Sequence, residues 1–278
     1  MLKKNRLKIK DYSCSQEEFE LVYDSYLDKY TTQPVPSNLE DYYKTDNYIS
    51  HTDAKEGLTE KAYQTVKRFM LKRKLALIEK YCGKGKLLDI GAGTGDFLKF
   101  AKKEGWEVSG LEPSAVARTH AERKGITLFE SAEALKAETF QVISMWHVLE
   151  HVPDTEKQIQ WIHQHLSSDG IAVIAVPNFN SYDARHYKEF WAAWDVPRHL
   201  HHFSAQSIKL IFEKEGFKLI AQRPLIFDSF YVSLLSEKYK GTKIPFLSGF
   251  LNGLRSNIKA LISKEYSSLI FVFKKDEN

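Results

Sequence analysis

Cysteine is scarce: the chain carries 2, Cys14 and Cys82. They make neither a disulfide framework nor a metal-binding thiolate pair, which suits a reducing compartment, so a cytoplasmic protein is expected. Long apolar runs are missing too. The longest, such as Ile171 to Val176, are of strand length and far short of the ~20 residues that cross a bilayer, so no membrane partner is expected. No apolar run follows the basic start Lys3, Lys4, Arg6, Lys8 and Lys10. That start reads as a solvated tail rather than a secretory signal. A dominant charge sign is also absent: 40 basic against 36 acidic residues leave +4 over 278 positions. Nucleic acid is therefore not the leading partner. What the chain does have, 43% apolar residues, is enough for one large core with a small appendage.

The informative stretch is Lys86-Leu87-Leu88-Asp89-Ile90-Gly91-Ala92-Gly93-Thr94-Gly95-Asp96-Phe97. Leu87, Leu88 and Ile90 suit a buried parallel strand, and Phe97, Leu98, Phe100 and Ala101 recur at helical spacing. The glycines then occupy a strand-to-helix turn, where a ligand can approach bare backbone. A dinucleotide fingerprint needs a third glycine at the sixth position, and Asp96 stands there. Asp89 and Asp96 would repel pyrophosphate but suit a ligand bearing an ammonium and a sulfonium, the charges of S-adenosylmethionine. Glu112, 21 positions after Gly91, closes a second strand, Glu107 to Leu111. A carboxylate there can accept both hydroxyls of a ribose.

Gly91 to Gly95 with Glu112 resemble the class I S-adenosylmethionine-dependent methyltransferases, of the bacterial small-molecule type. The resemblance implies an α/β fold, a doubly wound, mainly parallel seven-stranded Rossmann-like sheet over residues 58–278. It also implies an N-terminal cap, 1–57, and an insertion over the acceptor site, 226–266. Asp89, Gly91, Ala92, Gly93, Gly95, Glu112 and Pro113 would hold the methionine and ribose parts of the donor, and Ser131 the adenine. Met145, Trp146 and His147, at the end of a fourth strand, would lie beside the methyl group. The product would be S-adenosylhomocysteine and the partner a small-molecule acceptor, for O-methylation by a monomer or homodimer. Readings left open are an NAD(P)-dependent oxidoreductase and a non-catalytic cofactor-binding module.

The cap wording, Phe19 to Val22, Thr32-Gln33-Pro34, Asp41-Tyr42-Tyr43 and Tyr48 to His51, resembles an arm in which a Cys-x-x-Cys pair helps hold zinc. Here Asp24 and Leu27 replace that pair, so no thiolate site can form and packing by Tyr23, Tyr26, Tyr30, Tyr42 and Tyr43 is expected to order the arm. Ile126 to Phe129 reads as the third strand. His147 to His151 matches a zinc-protease pattern, but it follows a buried strand and precedes Pro153 rather than lying inside a helix. A divalent ion held by His147, Glu150, His151 and a later histidine is a further reading; no metal is the expectation. Between Trp191 and Ser204 the connector is crowded with Trp194, Asp195, Arg198, His199, His201 and His202. A long connector at a strand end is usually functional. Histidine suits removal of a hydroxyl proton, so His199, His201 and His202 are the candidate catalytic residues, with Trp194, Asp195 and Arg198 for the substrate.

Overall fold

The computed structural model describes residues 5–43, 58–135 and 138–276, with backbone alone for 58–63. Lys3, Lys4, Tyr48 to His51 and the expected cap boundary at 57 lie outside the described residues. The described strands form two sheets. Three N-terminal strands, β1 (Arg6–Lys10), β2 (Glu18–Asp24) and β3 (Lys29–Gln33), make an antiparallel meander. The larger sheet comprises β4 (Lys86–Ile90), β5 (Glu107–Leu111), β6 (Phe140–Trp146), β7 (Leu166–Pro177), β9 (Phe217–Pro224) and β10 (Ser268–Lys275). Its order is β5-β4-β6-β7-β10-β9. The four strands from β5 to β7 in that order run parallel, and β10 runs antiparallel to both its neighbours.

Runs such as Leu87-Leu88 and Ile171 to Val176 are apolar throughout because both faces of this sheet are covered. Leu88, Ile143, Ile174 and Phe271 join one core; Leu87, Val142, Val173 and Val272 join the other. The first core is closed by α4 (Thr155–His165) and α6 (Ala205–Lys214). The second is closed by α1 (Leu58–Glu79), through Leu75 and Ile78, and by α2 (Asp96–Lys103), through Phe97, Leu98 and Ala101. Burying each such side chain contributes roughly 1.5–3 kcal/mol. Side chains cap the helix starts: Ser114 accepts from the Ala117 amide ahead of α3 (Ala115–Arg123), and Ser204 from the Ser207 amide.

Two features depart from the sequence reading. The larger sheet has six strands, not seven: Ile126 to Phe129 contributes a single bridge, Leu111 to Phe129. Its Ile126 and Leu128 are drawn into the core against α2 and α3 rather than into a ladder. The N-terminal strands, in turn, do not form a sheet of their own. Their fourth strand is β8 (His201–Phe203), supplied by the histidine-rich connector and paired Tyr30 to His202. At the β2–β3 turn, Asp24 Oδ1 accepts from the amides of Tyr26 and Leu27 at 2.9 and 3.0 Å. A side-chain turn thus stands where a thiolate pair was absent. Of the five tyrosines, Tyr30 is buried among Tyr23, Phe179 and Trp194, whereas Tyr26 is 82% exposed.

The insertion between β9 and β10 is a pair of packed helices, α7 (Asp228–Tyr239) and α8 (Pro245–Ser263). The short α5 (Tyr182–Tyr187) lies beside them.

Candidate functional site

The parallel strands release their loops on one edge, and the site is built there. Gly91 adopts φ +72°, and a Cβ on it would stand 2.4 Å from Val148 Cγ2. Gly93, at φ +54°, has open space where a Cβ would be. The turn is thereby tight at Gly91 and open at Gly93. Glu112, at the end of β5, is buried and doubly held: Oε2 accepts from the Gly93 amide at 2.8 Å and Oε1 from the Ser114 amide at 2.9 Å. Each oxygen keeps a further lone pair, as two neighbouring hydroxyls require. Pro113 and Ser131 are exposed. Arg118 ties this edge together, donating to the carbonyls of Glu112 and Pro113 and pairing with Glu130 at 3.0 Å.

Asp89 is buried beneath the turn, where burial raises its carboxyl to about 7 despite a 2.6 Å hydrogen bond from Ser144 Oγ. Above it α1 places Lys74, whose ammonium lies 4.2 Å from the Trp146 ring. Burial lowers the Lys74 pKa against the opposing pull of Asp89 and Asp228. Trp146 Nε1 is buried without a partner. A cation and a carboxylate beside the glycine turn suit the two ends of a zwitterion. Met145 is fully buried in the core. Asp96, the other acid of the turn, is held ionised: burial opposes it, but Lys67 at 2.8 Å and Lys124 at 2.9 Å lower its pKa.

After β6 the chain turns sharply at His147, which has φ +58°. Its imidazole sits between Asp228 Oδ2 at 2.8 Å and Glu150 Oε1 at 3.3 Å. Burial works against its charge, yet the two carboxylates raise its pKa to about 10. Glu150 is itself buried and kept ionised, burial being overcome by the His147 hydrogen bond. His151 Nδ1 lies 3.0 Å from the Arg198 carbonyl and 3.0 Å from the Tyr43 hydroxyl. Burial and His199 lower its pKa to about 4, so it is neutral.

Of the three connector histidines, the structure brings one to this cluster. His199 Nδ1 lies 2.9 Å from the Ala193 carbonyl, which fixes the proton on Nδ1 and leaves Nε2 as the lone-pair nitrogen. Ligand atoms of Glu150, His151 and His199 all lie within 4.8 Å of one another. They are the one such group among the described residues, and their imidazole and carboxylate donors would also suit a divalent ion. His201 and His202 are in β8 instead. His201 Nε2 meets the Pro153 carbonyl at 3.3 Å, and burial lowers its pKa to about 4. His202 Nε2 meets Thr32 Oγ1 at 2.9 Å, and burial pushes its pKa well below the ordinary value.

The three residues expected at the substrate are also tied within the protein. Trp194 is core, donating its indole N–H to the Lys188 carbonyl at 2.7 Å and packed against Tyr30 and Trp191. Asp195 and Arg198 pair with each other at 2.5 Å, and Arg198 also reaches Ser13 Oγ. Lys74 and Asp228 are site residues the sequence reading did not assign, and Tyr43, expected only to pack the arm, reaches His151 here. The cations of α1 look alike in sequence, and only the packing of Leu75 and Ile78 turns Lys74 inward.

A family model described as a methyltransferase domain matches residues 61–222. The ubiquinone biosynthesis O-methyltransferase of Actinobacillus pleuropneumoniae serotype 7 is 36% identical over 107 residues, 34% of this chain and 46% of that protein. Its counterpart in Cronobacter sakazakii is 34% identical over 106 residues, 34% of this chain and 44% of that protein. The chain thus spans just under half the length of these relatives. Among solved structures, magnesium protoporphyrin IX methyltransferase from Synechocystis PCC 6803 superposes with a TM-score of 0.56 at 13% identity. It covers 85% of this chain and 97% of its own. Coclaurine N-methyltransferase gives 0.50 at 17% identity, covering 74% and 72%. At such identities the likeness is one of fold.

Proposed function

The chain belongs to the methyltransferase-domain family, and from that membership we propose that it moves a methyl group from S-adenosylmethionine to an oxygen of a small-molecule acceptor. One observation carries the reading: Glu112 is oriented by the amides of Gly93 and Ser114 beside a turn that is open at Gly93. Glu112 would take the ribose hydroxyls, Lys74 the carboxylate and Asp89 the ammonium, with the Trp146 ring alongside. When bound, the donor supplies a methyl activated by a positive sulfur, so the protein's part is orientation and proton removal.

For an oxygen acceptor the hydroxyl must lose its proton as the new C–O bond forms. His199 is assigned as the base, because its Nδ1 is committed to the Ala193 carbonyl while its Nε2, 3.8 Å from Asp195 Oδ2, is left to take the proton, with the Asp195 and Glu150 carboxylates there to stabilise the imidazolium. His147, held charged between two carboxylates, is unsuited to accept a proton near neutral pH and instead contributes positive charge. His201 and His202 are assigned to holding the connector. Oxygen rather than nitrogen is chosen because the similar ubiquinone biosynthesis enzymes are O-methyltransferases.

The test is a thermal-shift comparison of S-adenosylhomocysteine with NAD, followed by transfer of labelled methyl to a panel of phenols, carboxylic acids and amines. Stabilisation by S-adenosylhomocysteine alone is expected, with label appearing on hydroxyl acceptors. Stabilisation by NAD alone would return the turn to a dinucleotide. Binding without transfer to any class would leave a cofactor-binding module. Turnover retained in EDTA is expected for a histidine base; loss reversed by a divalent ion would give Glu150, His151 and His199 a chelating role.

A further inference from the structure

Helix α8 is turned against the usual rule. Its inward face is small and polar: Gly249 and Gly253 approach the α7 backbone so closely that a Cβ on either would stand within 2.8 Å of Leu234 or Phe230 Cα. Asn252 donates to Glu237 at 2.8 Å and Ser256 to Asp183 at 2.7 Å. Its outward face is apolar, with Leu247, Phe250, Leu254, Ile258, Leu261 and Ile262 exposed at three- and four-residue spacing. Ile262 is 90% exposed, and Phe246 at the helix start 75%. Because the polar face is satisfied internally, rotating the helix to hide its apolar stripe would orphan Asn252, Ser256 and their partners. A stripe this continuous on a protein surface marks an interaction site.

The charge around the stripe selects the partner. From Lys238 to Lys264 the chain has six charged residues, all Lys or Arg, and no Asp or Glu. All six are exposed. Two copies meeting through this face would bring twelve cations together, which like-charge repulsion disfavours. An apolar face flanked by cations is instead complementary to an anionic lipid surface. We propose that α8 is an interfacial anchor that lies on anionic bilayers, with its apolar face among the acyl chains and Lys240, Lys243 and Lys259 among the headgroups. No helix of the described residues is long and apolar enough to cross a membrane. The sequence expectation of no membrane partner rested on that same shortage of spanning runs, which a surface-lying helix does not need. Through α7, which begins at the His147 partner Asp228, the anchor belongs to the insertion bordering the site.

The proposal concerns binding and stands whether or not methyl transfer is the reaction. Its test is flotation of the full chain with vesicles of phosphatidylglycerol and phosphatidylcholine, against phosphatidylcholine alone, across a salt series. Binding to the anionic vesicles that weakens with salt is expected. Lys243→Glu and Lys264→Glu should each reduce it by about fivefold or more, and Phe246→Ser with Ile262→Ser by tenfold or more, roughly the worth of one buried large side chain. Each variant should keep the wild-type circular dichroism and melting temperature, since the replaced side chains touch no core. Equal binding to both vesicle types, or none to either, overturns the proposal. So does a dimer, seen by light scattering, that the Phe246→Ser, Ile262→Ser variant dissociates: the stripe would then be covered by a second copy.

Discussion

Asp89 shows how much one buried carboxyl can reveal about its ligand. Burial holds it near 7 in the free protein, and an ammonium arriving beside it would favour the ionised form. Binding should then release a proton, so affinity for S-adenosylhomocysteine should rise from about pH 6 to about pH 8, approaching tenfold per unit below the pKa. Asp89→Asn should flatten that slope in calorimetric titrations; an unchanged slope would move the ammonium elsewhere. His199 makes a separate claim. His199→Gln should cut turnover by about a hundredfold or more while donor affinity changes little. His202→Gln should show its main effect in melting temperature, because His202 is bonded to Thr32 inside a sheet. If both variants lose turnover equally with unchanged stability, the assignment of roles between them fails.

At the scale of elements, the connector and the N-terminal meander hold each other. Thr32 Oγ1 donates to the His199 carbonyl at 2.6 Å and meets His202 Nε2, while the Thr32 amide donates to the Leu200 carbonyl at 2.9 Å. Thr32→Val keeps the shape but leaves buried polar atoms unpaired, a cost of about 1–3 kcal/mol, or several degrees of melting temperature at roughly 2–4 °C per kcal/mol. Turnover should fall with it, since the His199 backbone loses its anchor. The glycine turn makes the complementary case. Gly91→Ala meets Val148 and adopts a disfavoured φ, costing about 1–3 kcal/mol. Adding Val148→Ala should recover the steric part only, a partial rescue readable by denaturant titration.

Across the whole molecule, buried histidines set opposing limits on stability. Burial depresses His151, His201 and His202 below the unfolded value. Between about pH 4 and the unfolded pKa near 6.5 the unfolded chain therefore binds more protons, and stability should be lost as pH falls through that window. His147 works the other way. Burial lowers its pKa, but Asp228 and Glu150 raise it to about 10, so its contribution is complete below about 6.5 and is lost as pH climbs towards 10. Melting temperature should peak near neutrality. His201→Phe should flatten the acid limb, and His147→Gln the alkaline one.

The Gly91 to Gly95 turn, Glu112, the parallel strands and the caps at Ser114 and Ser204 were legible in the chain, because each follows from neighbours a few residues away: periodicity, turn chemistry, a side chain reaching its own backbone. The missing seventh strand was not legible, since Ile126 to Phe129 has strand composition and only competition from the core denies it a ladder. Nor was the division of labour among the connector histidines. Three similar side chains in four residues differ in role because Thr32, 167 residues before His199, binds the His199 carbonyl and the His202 ring, while Glu150 stands beside the His199 ring. Local sequence fixed which groups could do chemistry, and long-range packing decided which nitrogen kept a free lone pair, which lysine of α1 faced inward, and which side of α8 faced out.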